Sequence, residues 1–482
     1  MTTSSPRLVV AGLSGDAGKT IASLSILAAL RARGLSVSVF KKGPDYIDPA
    51  WLSSLGQTTC RNLDTYMVEP EAVVRNFVVH AGKSDISLIE GNRGVFDGKD
   101  VSGTHSTAQL AKLLEAPVVL VVDAAKSTRT VAAIVRGCVD FDPDLDVAGV
   151  ILNRVAGKRH VAILEDSIEE YAGLPVLGAI PNLGDDSALI PGRHLGLVTP
   201  SEYEEDGDLR ARLREIAETA LDVEGLIRVA RSAAPLSCAP EQASCSRGAP
   251  GRVEIGYFRD SVFTFYYPEN LEALEANGAR LVPISSLADR SLPDVDALYI
   301  GGGFPETHAE RLARNRSMMQ SVKKKALDGL PIYAECGGLI YLARSLRCNG
   351  VVYPMSGLFP IDLSMHRKPV GHGYTSLRVD GPNPFFAVGA SIRGHEFHYS
   401  GPTDGLEELE SCMKMESGVG VGCGRDGLVR ASTLACYTHL HADGMKSWAT
   451  AMVSRAAAHT AGSRSRRIDD NATNGWFELE AI

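Results

Sequence analysis

Residues 7–34 read RLVVAGLSGDAGKTIASLSILAALRARG, and this stretch constrains the fold more than any other. A short β-branched run enters a glycine-rich turn, and apolar residues at helical spacing follow it. That order predicts a buried strand, a loop and a helix whose N-terminal amides face the loop. Gly12, Gly15 and Gly18 let backbone approach phosphate oxygens without a Cβ in the way. Lys19 supplies a charge and Thr20 a hydroxyl suited to Mg²⁺, so the segment predicts a nucleotide-phosphate cradle. One detail departs from the common spacing of Gly, four residues, then Gly-Lys-Ser/Thr. Position 13 is Leu13, and the first glycine comes one residue early, at Gly12.

The same strand–helix rhythm continues. RLVVAG, SVSVFK, ISLIEG, PVVLVVDA and VAGVILN predict parallel strands of a first α/β layered domain. Residues 232–252 are rich in Ser, Ala, Pro and Gly without periodicity, and predict a linker between a domain over 1–231 and one over 253–455. VEIGYF, ARLVPIS, ALYIGGG and LPIYAEC open the second α/β rhythm, with further strand-like segments at 390–402 and 431–441. Residues 456–482 are polar and predict a disordered tail. A net charge of −9 argues against nucleic acid or an anionic membrane as partner, and no apolar run is long enough to span a bilayer. Nine cysteines without a CxxC pair indicate neither a disulfide framework nor zinc, and with no signal peptide visible the expected setting is cytoplasmic.

Three carboxylates gather where phosphate chemistry needs a cation. KKGPDYIDP, read as a turn closed by Pro49, carries Asp45 and Asp48, and LIEGNRGVFDG places Glu90 at a strand end. Thr20, Asp48 and Glu90 are therefore the candidate Mg²⁺ ligands, and the strand-end carboxylates Asp45, Asp48 and Glu90 are expected outside the core. Asn153, closing GVILN, is a candidate to read the nucleotide base, since an amide both donates and accepts.

LPIYAECGGLIYLA has the form of a nucleophile elbow: a strand, Cys336, small neighbours Ala334 and Gly338, then a helix whose N-terminus should lower the thiol pKa. The triple glycine Gly301–Gly303 at another strand end suits backbone donors to an oxyanion. CYTHLHADG supplies His439 and His441 as candidate bases, and strand alternation sets Tyr437, His439 and His441 on one face. In RGHEFHYS, alternation puts Glu396 and His398 on one face and His395 on the other, which argues against a metal site.

Together GLSGDAGKT, KKGPDYIDP, CRNLD, IEGNRGVFDG, GGGFPE, ECGG, GHEFHYS and YTHLH resemble the cobyrinic acid a,c-diamide synthase family over nearly the whole chain. The resemblance implies an N-terminal P-loop ATPase domain of the dethiobiotin synthetase type, whose loop also has its first glycine one residue early. It implies a C-terminal class I glutamine amidotransferase-like, flavodoxin-like domain. ATP with Mg²⁺ would convert a tetrapyrrole carboxylate to an acyl phosphate, and ammonia freed from glutamine by Cys336 and His439 would displace the phosphate. Gly302, Gly303 and Gly337 would form the oxyanion site. Asp45, Tyr46, Ile47 and Asp97 would meet the substrate or set the order of amidation. A homodimer is left open.

Two departures from related patterns stand out. Class I amidotransferase domains usually carry Glu two residues after the catalytic His, where this chain has His441, so a Cys–His dyad is expected. FKKGPDYIDPAW and GNRGVFDG look closer to relatives acting on sirohaem or nickel-sirohydrochlorin, which leaves those substrates open beside cobyrinic acid. A partitioning-type regulatory ATPase would share the phosphate loop but has no use for an elbow cysteine with two distal histidines.

Overall fold

The computed structural model describes residues 2–184, 189–193, 196–203, 206–238 and 253–474. The chain forms two compact units, Met1–Gln242 and Ala243–Ile482.

The first unit is built on a seven-stranded parallel sheet. Its order is Arg61–Leu63, Val37–Lys42, Ile86–Gly94, Arg7–Gly12, Val118–Asp123, Val147–Val155 and Val176–Pro181. Every residue of Arg7–Gly12 and of Val37–Lys42 is buried, as expected for strands covered on both faces. Arg7–Gly12 sits mid-sheet, where the strand order reverses, so the phosphate loop that follows it opens at the crevice where such sheets bind ligands. The helix Lys19–Ala32 packs between this sheet and the helix Asp206–Ala220, and buries Ala22, Leu24, Ile26, Leu27 and Leu30.

The second unit has a nine-stranded mixed sheet. Its parallel part runs Ala279–Ile284, Val253–Phe258, Ala297–Ile300, Ile332–Glu335 and Thr433–Cys436. Arg425–Arg430, Glu410–Ser417, Gly371–Val379 and Ser391–His398 extend it in antiparallel fashion. Ile332–Glu335 and Thr433–Cys436 are parallel neighbours, so the residues after them, Cys336 onward and Tyr437 onward, leave the same sheet edge. A smaller four-stranded sheet joins Val351–Pro354, Ser345–Cys348, Asp362–Met365 and Ser400–Asp404.

Two expectations on the connections change. Within the stretch expected to be a linker, Leu236–Ser237 pairs antiparallel with Thr2–Thr3, while residues 239–252 lie outside the described residues. The helix Ser447–Asn474 runs through the first part of the stretch expected to be disordered, and 475–482 lie outside the described residues. Trp448, Met452 and Ala456, spaced by four, are fully buried and anchor this helix. Among the described residues, no helix is long and apolar enough to cross a membrane.

Candidate active site

The phosphate loop is held shut around its own lysine. Lys19 Nζ donates to the carbonyls of Ser14 at 2.6 Å, Arg93 at 2.8 Å and Gly15 at 3.4 Å. Its aliphatic stem explains the early glycine: a Cβ on Gly12 would sit 3.0 Å from Lys19 Cγ and 3.1 Å from Ala17 Cβ. Gly18 adopts φ +93°, and a Cβ there would fall 2.0 Å from Asn153 Nδ2. Asn153 Nδ2 donates to Ala17 O at 3.0 Å and Asn153 Oδ1 accepts from Arg154 N at 2.9 Å, so this amide braces the loop from the strand Val147–Val155, one strand beyond the neighbour of Arg7–Gly12. Burial lowers the Lys19 pKa to about 8, with the Lys41 charge acting in the same direction against Glu90, Asp48 and Asp16.

Lys41, which the sequence left without a role, is the hub of the acidic residues. Its ammonium lies 2.5 Å from Asp48 Oδ2, 2.6 Å from Glu90 Oε1 and 3.7 Å from Asp45 Oδ2. Burial alone would lower the Lys41 pKa, but the carboxylates of Asp48, Glu90 and Asp45 more than reverse it. Burial also disfavours charge on the acids. At Asp48 the lysine outweighs burial and holds the carboxyl below its usual range, whereas burial and then the Asp48 charge push Asp45 up. Burial likewise raises Glu90 against the pull of Lys41. Glu90 is 0% exposed, which overturns its placement outside the core. Its strand runs on to Gly94, so Glu90 ends not the strand but the regular pairing with Lys41.

KKGPDYIDP is not a closed turn. Ile47 already begins the helix Ile47–Gly56, and Pro49 sits in its first turn, where its missing N–H costs nothing. Asp45 Oδ1 caps that helix, accepting from the amides of Ile47 at 2.9 Å and Asp48 at 3.2 Å. Tyr46 and Ile47 form the helix entry, with Ile47 buried. Asp97 Oδ2 accepts from Gly94 N at 2.8 Å and braces the loop after the Glu90 strand.

The donors suit Mg²⁺ in one respect and limit it in another. Thr20 Oγ1 donates to Glu90 Oε1 at 3.0 Å, and the buried Glu90 Oε2 has no hydrogen-bond partner among the described residues. Hard oxygens of this kind fit an ion that takes one or two carboxylates and completes its shell with water and phosphate. Among the described residues no group of three or more His, Cys, Asp or Glu is placed to cage a metal, and Asp48 is committed to Lys41.

In the second unit Cys336 has φ +49° and ψ −97°, a strained backbone for a residue with a Cβ. Its amide is held by Cys436 O at 2.7 Å. The close packing behind the turn requires glycine at 338, where a Cβ would meet Ile300 O at 2.4 Å. Gly337 packs on the triple-glycine loop: a Cβ there would lie 3.0 Å from Gly303 N and 3.4 Å from the Gly302 carbonyl carbon. Gly302 in turn faces His439, with a Cβ there falling 2.6 Å from Cε1 and 3.2 Å from Nε2. The three candidate oxyanion glycines and His439 are thus contiguous with the nucleophile's turn. Burial pushes the Cys336 thiol far above its usual range, and the Glu306 carboxylate adds to this, against a backbone hydrogen bond from Gly337. This reverses the expected lowering: the following helix spans only Gly337–Leu342, too short to offset burial.

The two histidines part company. The strand ends at Cys436, so alternation does not carry on to Tyr437 and His439. Tyr437 stacks on His398 with centroids 3.7 Å apart, while His439 stacks on His395 at 4.9 Å. His395 and His398 point to opposite faces of their strand, so Tyr437 and His439 do not share a face. His439 Nδ1 lies 3.3 Å from Glu335 Oε2. His441 Nε2 lies 3.5 Å from Glu269 Oε2, with its ring against Tyr267. Glu396 and His398 pair at 3.3 Å on the face away from His395. Sequence reasoning passed over Lys41 and Glu335; the signal available was a charge inside an otherwise apolar buried strand.

Comparison with known proteins covers both units. A model of the CobQ/CobB/MinD/ParA nucleotide binding domain matches residues 8–193, and one of the CobB/CobQ-like glutamine amidotransferase domain matches residues 254–447. A cobyrinate a,c-diamide synthase from Magnetococcus marinus is 42% identical over 448 residues, 92% of this chain and 96% of that protein. One from Archaeoglobus fulgidus is 40% identical, covering 94% of this chain and 97% of that protein. A third, from Methanosarcina barkeri, is 38% identical over 94% of this chain and 96% of its own length.

Proposed function

Because the chain belongs to the cobyrinate a,c-diamide synthase family, we propose that it amidates the a and c acetate side chains of cobyrinic acid, using ATP and glutamine. The observation that carries this reading is the extent of the likeness, 92% of this chain and 96% of the relative, together with family matches over 8–193 and 254–447 that take in the phosphate loop and the elbow cysteine alike. A regulatory ATPase would need only the first.

A carboxylate resists ammonia because its oxide is a poor leaving group and its charge repels nucleophiles. In the proposed reaction the acetate oxygen attacks the γ-phosphorus of ATP, releasing ADP and leaving an acyl phosphate. Ammonia then adds to the acyl carbon and inorganic phosphate departs. Lys19, freed from the loop carbonyls, would neutralise charge on the transferred phosphoryl group while the loop amides orient it. Thr20 and Glu90 would hold Mg²⁺, which when bound offsets the charge of the β- and γ-phosphates. Lys41 keeps Asp48 and Glu90 from repelling the incoming acid. Asp45, Tyr46, Ile47 and Asp97 would line the approach of the tetrapyrrole.

In the amidotransferase unit the Cys336 thiol would give its proton to His439 as it attacks the glutamine side-chain amide. Backbone amides of Gly302, Gly303 and Gly337 would receive the oxyanion. Ammonia leaves, and water cleaves the thioester to glutamate.

The test incubates the protein with ATP, Mg²⁺ and glutamine against cobyrinic acid, sirohydrochlorin and sirohaem in parallel, with products followed by mass spectrometry. Two successive hydroxyl-to-amine exchanges on cobyrinic acid are expected. Exchange only on sirohydrochlorin or sirohaem would reassign the substrate, and ATP turnover without amidation of any acid would remove the ligase reading.

A further inference from the structure

The residue before the nucleophile carries a buried carboxylate that no part of the proposed mechanism uses. Glu335 is 1% exposed and ends the strand that delivers Cys336. A carboxylate withdrawn from water is costly unless donors surround it, and Glu335 has four. Oε2 lies 3.3 Å from His439 Nδ1, which donates to it when that nitrogen carries the proton, and accepts from Tyr299 OH at 3.1 Å. Oε1 accepts from Tyr333 OH at 3.1 Å and from Leu440 N at 3.3 Å. Tyr299 is itself fixed by Asn270 Nδ2 at 3.3 Å.

Two of these donors belong to the His439–Leu440 segment, one from its ring and one from its backbone. Two further contacts of the His439 ring set its two nitrogens in different surroundings. One face stacks on His395, and the Cε1–Nε2 edge turns to Gly302, the glycine packed beside the nucleophile's turn. His395 is occupied elsewhere, its Nε2 2.8 Å from Tyr267 OH. An imidazole that takes a proton at one nitrogen works only if the other holds its own proton in place, and a carboxylate on that nitrogen sets both tautomer and ring orientation.

We propose that Glu335 is the positioning carboxylate of His439: it keeps the proton on Nδ1, leaves Nε2 unprotonated as the proton acceptor for Cys336, and faces the imidazolium formed when the thiol proton moves to Nε2. The residue two places after His439 has no part in this, since His441 is committed to Glu269. The proposal rests on His439 being the base. It adds that the third member comes from the strand neighbouring the base, one residue ahead of the nucleophile, so a single strand end sets both.

The experiment compares Glu335→Gln, Glu335→Asp and His439→Ala in the full chain, reading glutamine hydrolysis, iodoacetamide labelling of Cys336 and melting temperature. Glu335→Gln keeps the shape but can present an N–H to Nδ1 and so favour the wrong tautomer. It is expected to lower kcat on the order of 10²- to 10⁴-fold while KM for glutamine stays within about threefold. Labelling of Cys336 should slow in parallel, and Glu335→Asp, which retains the charge, should recover part of kcat. An inactive His439→Ala together with a Glu335→Gln kcat within about threefold of wild type overturns the proposal and leaves the base in place. So does a Glu335→Gln loss confined to KM or melting temperature. An active His439→Ala removes the base assignment itself. If Glu335→Gln does not fold, ¹⁵N-histidine spectra of the unmodified protein decide: Nδ1 protonated and Nε2 bare supports Glu335, and the reverse tautomer overturns it.

Discussion

His441 Nε2 lies 3.5 Å from Glu269 Oε2, and both side chains are buried. The two distal histidines, equivalent candidates in the sequence, therefore have different partners: His441 a carboxylate of the helix Pro268–Ala276, His439 the carboxylate beside the nucleophile and the triple-glycine loop.

This division predicts different consequences of removing each ring. His439→Ala should lower glutamine-dependent amidation on the order of 10³-fold or more with a modest change in melting temperature. His441→Ala should keep glutaminase activity within about tenfold but cost about 1–3 kcal/mol of stability, because Glu269 loses a partner inside the core. Steady-state glutamine hydrolysis and thermal melts check both. If His441→Ala matches His439→Ala in rate, the choice of base is wrong.

Cys336→Ser should abolish amidation from glutamine and retain amidation from free ammonia, because the acid is activated in the other unit and a buried serine hydroxyl is a far weaker nucleophile. The wild-type thiol should also betray its burial. A raised pKa means less thiolate at a given pH, so without glutamine, alkylation of Cys336 should still be climbing with pH above about 8.5, where a free cysteine has half its thiolate. A rate that levels off below that point contradicts the burial argument.

Lys19→Ala should remove amidation from glutamine and ammonia alike, since acid activation precedes either nitrogen source. The wild-type lysine, held near a pKa of about 8 chiefly by burial, is partly neutral in mildly alkaline solution. Phosphate favours the charged form, so ATP binding should take up a proton there and weaken as pH rises above that value. Calorimetric titrations in buffers of different ionisation enthalpy would detect the uptake; binding with no proton uptake at that pH argues against Lys19 meeting the phosphates.

Glu90→Gln should weaken Mg²⁺-dependent ATP turnover, on the order of tenfold or more, while largely keeping the fold. Glu90→Ala should lower stability as well, by about 1–3 kcal/mol, because the buried Lys41 ammonium loses a partner at 2.6 Å. Melting curves and Mg²⁺ titrations separate the two effects. Unchanged Mg²⁺ dependence in Glu90→Gln rules out the metal role.

Local order determined what could be read along the chain. The run RLVVAG, the glycines and Gly18-Lys19-Thr20 specify a strand, loop and helix through contacts within a few residues, and the elbow around Cys336 is legible for the same reason. The continuous apolar strands of both parallel sheets are visible because burial on both faces leaves an unbroken hydrophobic run. Of the antiparallel extension of the second sheet, Ser391–His398 falls in a stretch read as strand-like, but Gly371–Val379 and Glu410–Ser417 escaped notice, because they mix buried with exposed residues and look polar in sequence. Tertiary structure alone decided which charges meet. Lys41 finds Glu90 because their strands are parallel neighbours in register, and His439 finds Glu335 because parallel strands about a hundred residues apart in sequence end at one edge. Residue type tells which groups can ionise; only the sheet's strand order decides which of them share a desolvated space, and that sharing sets their charge and their chemistry.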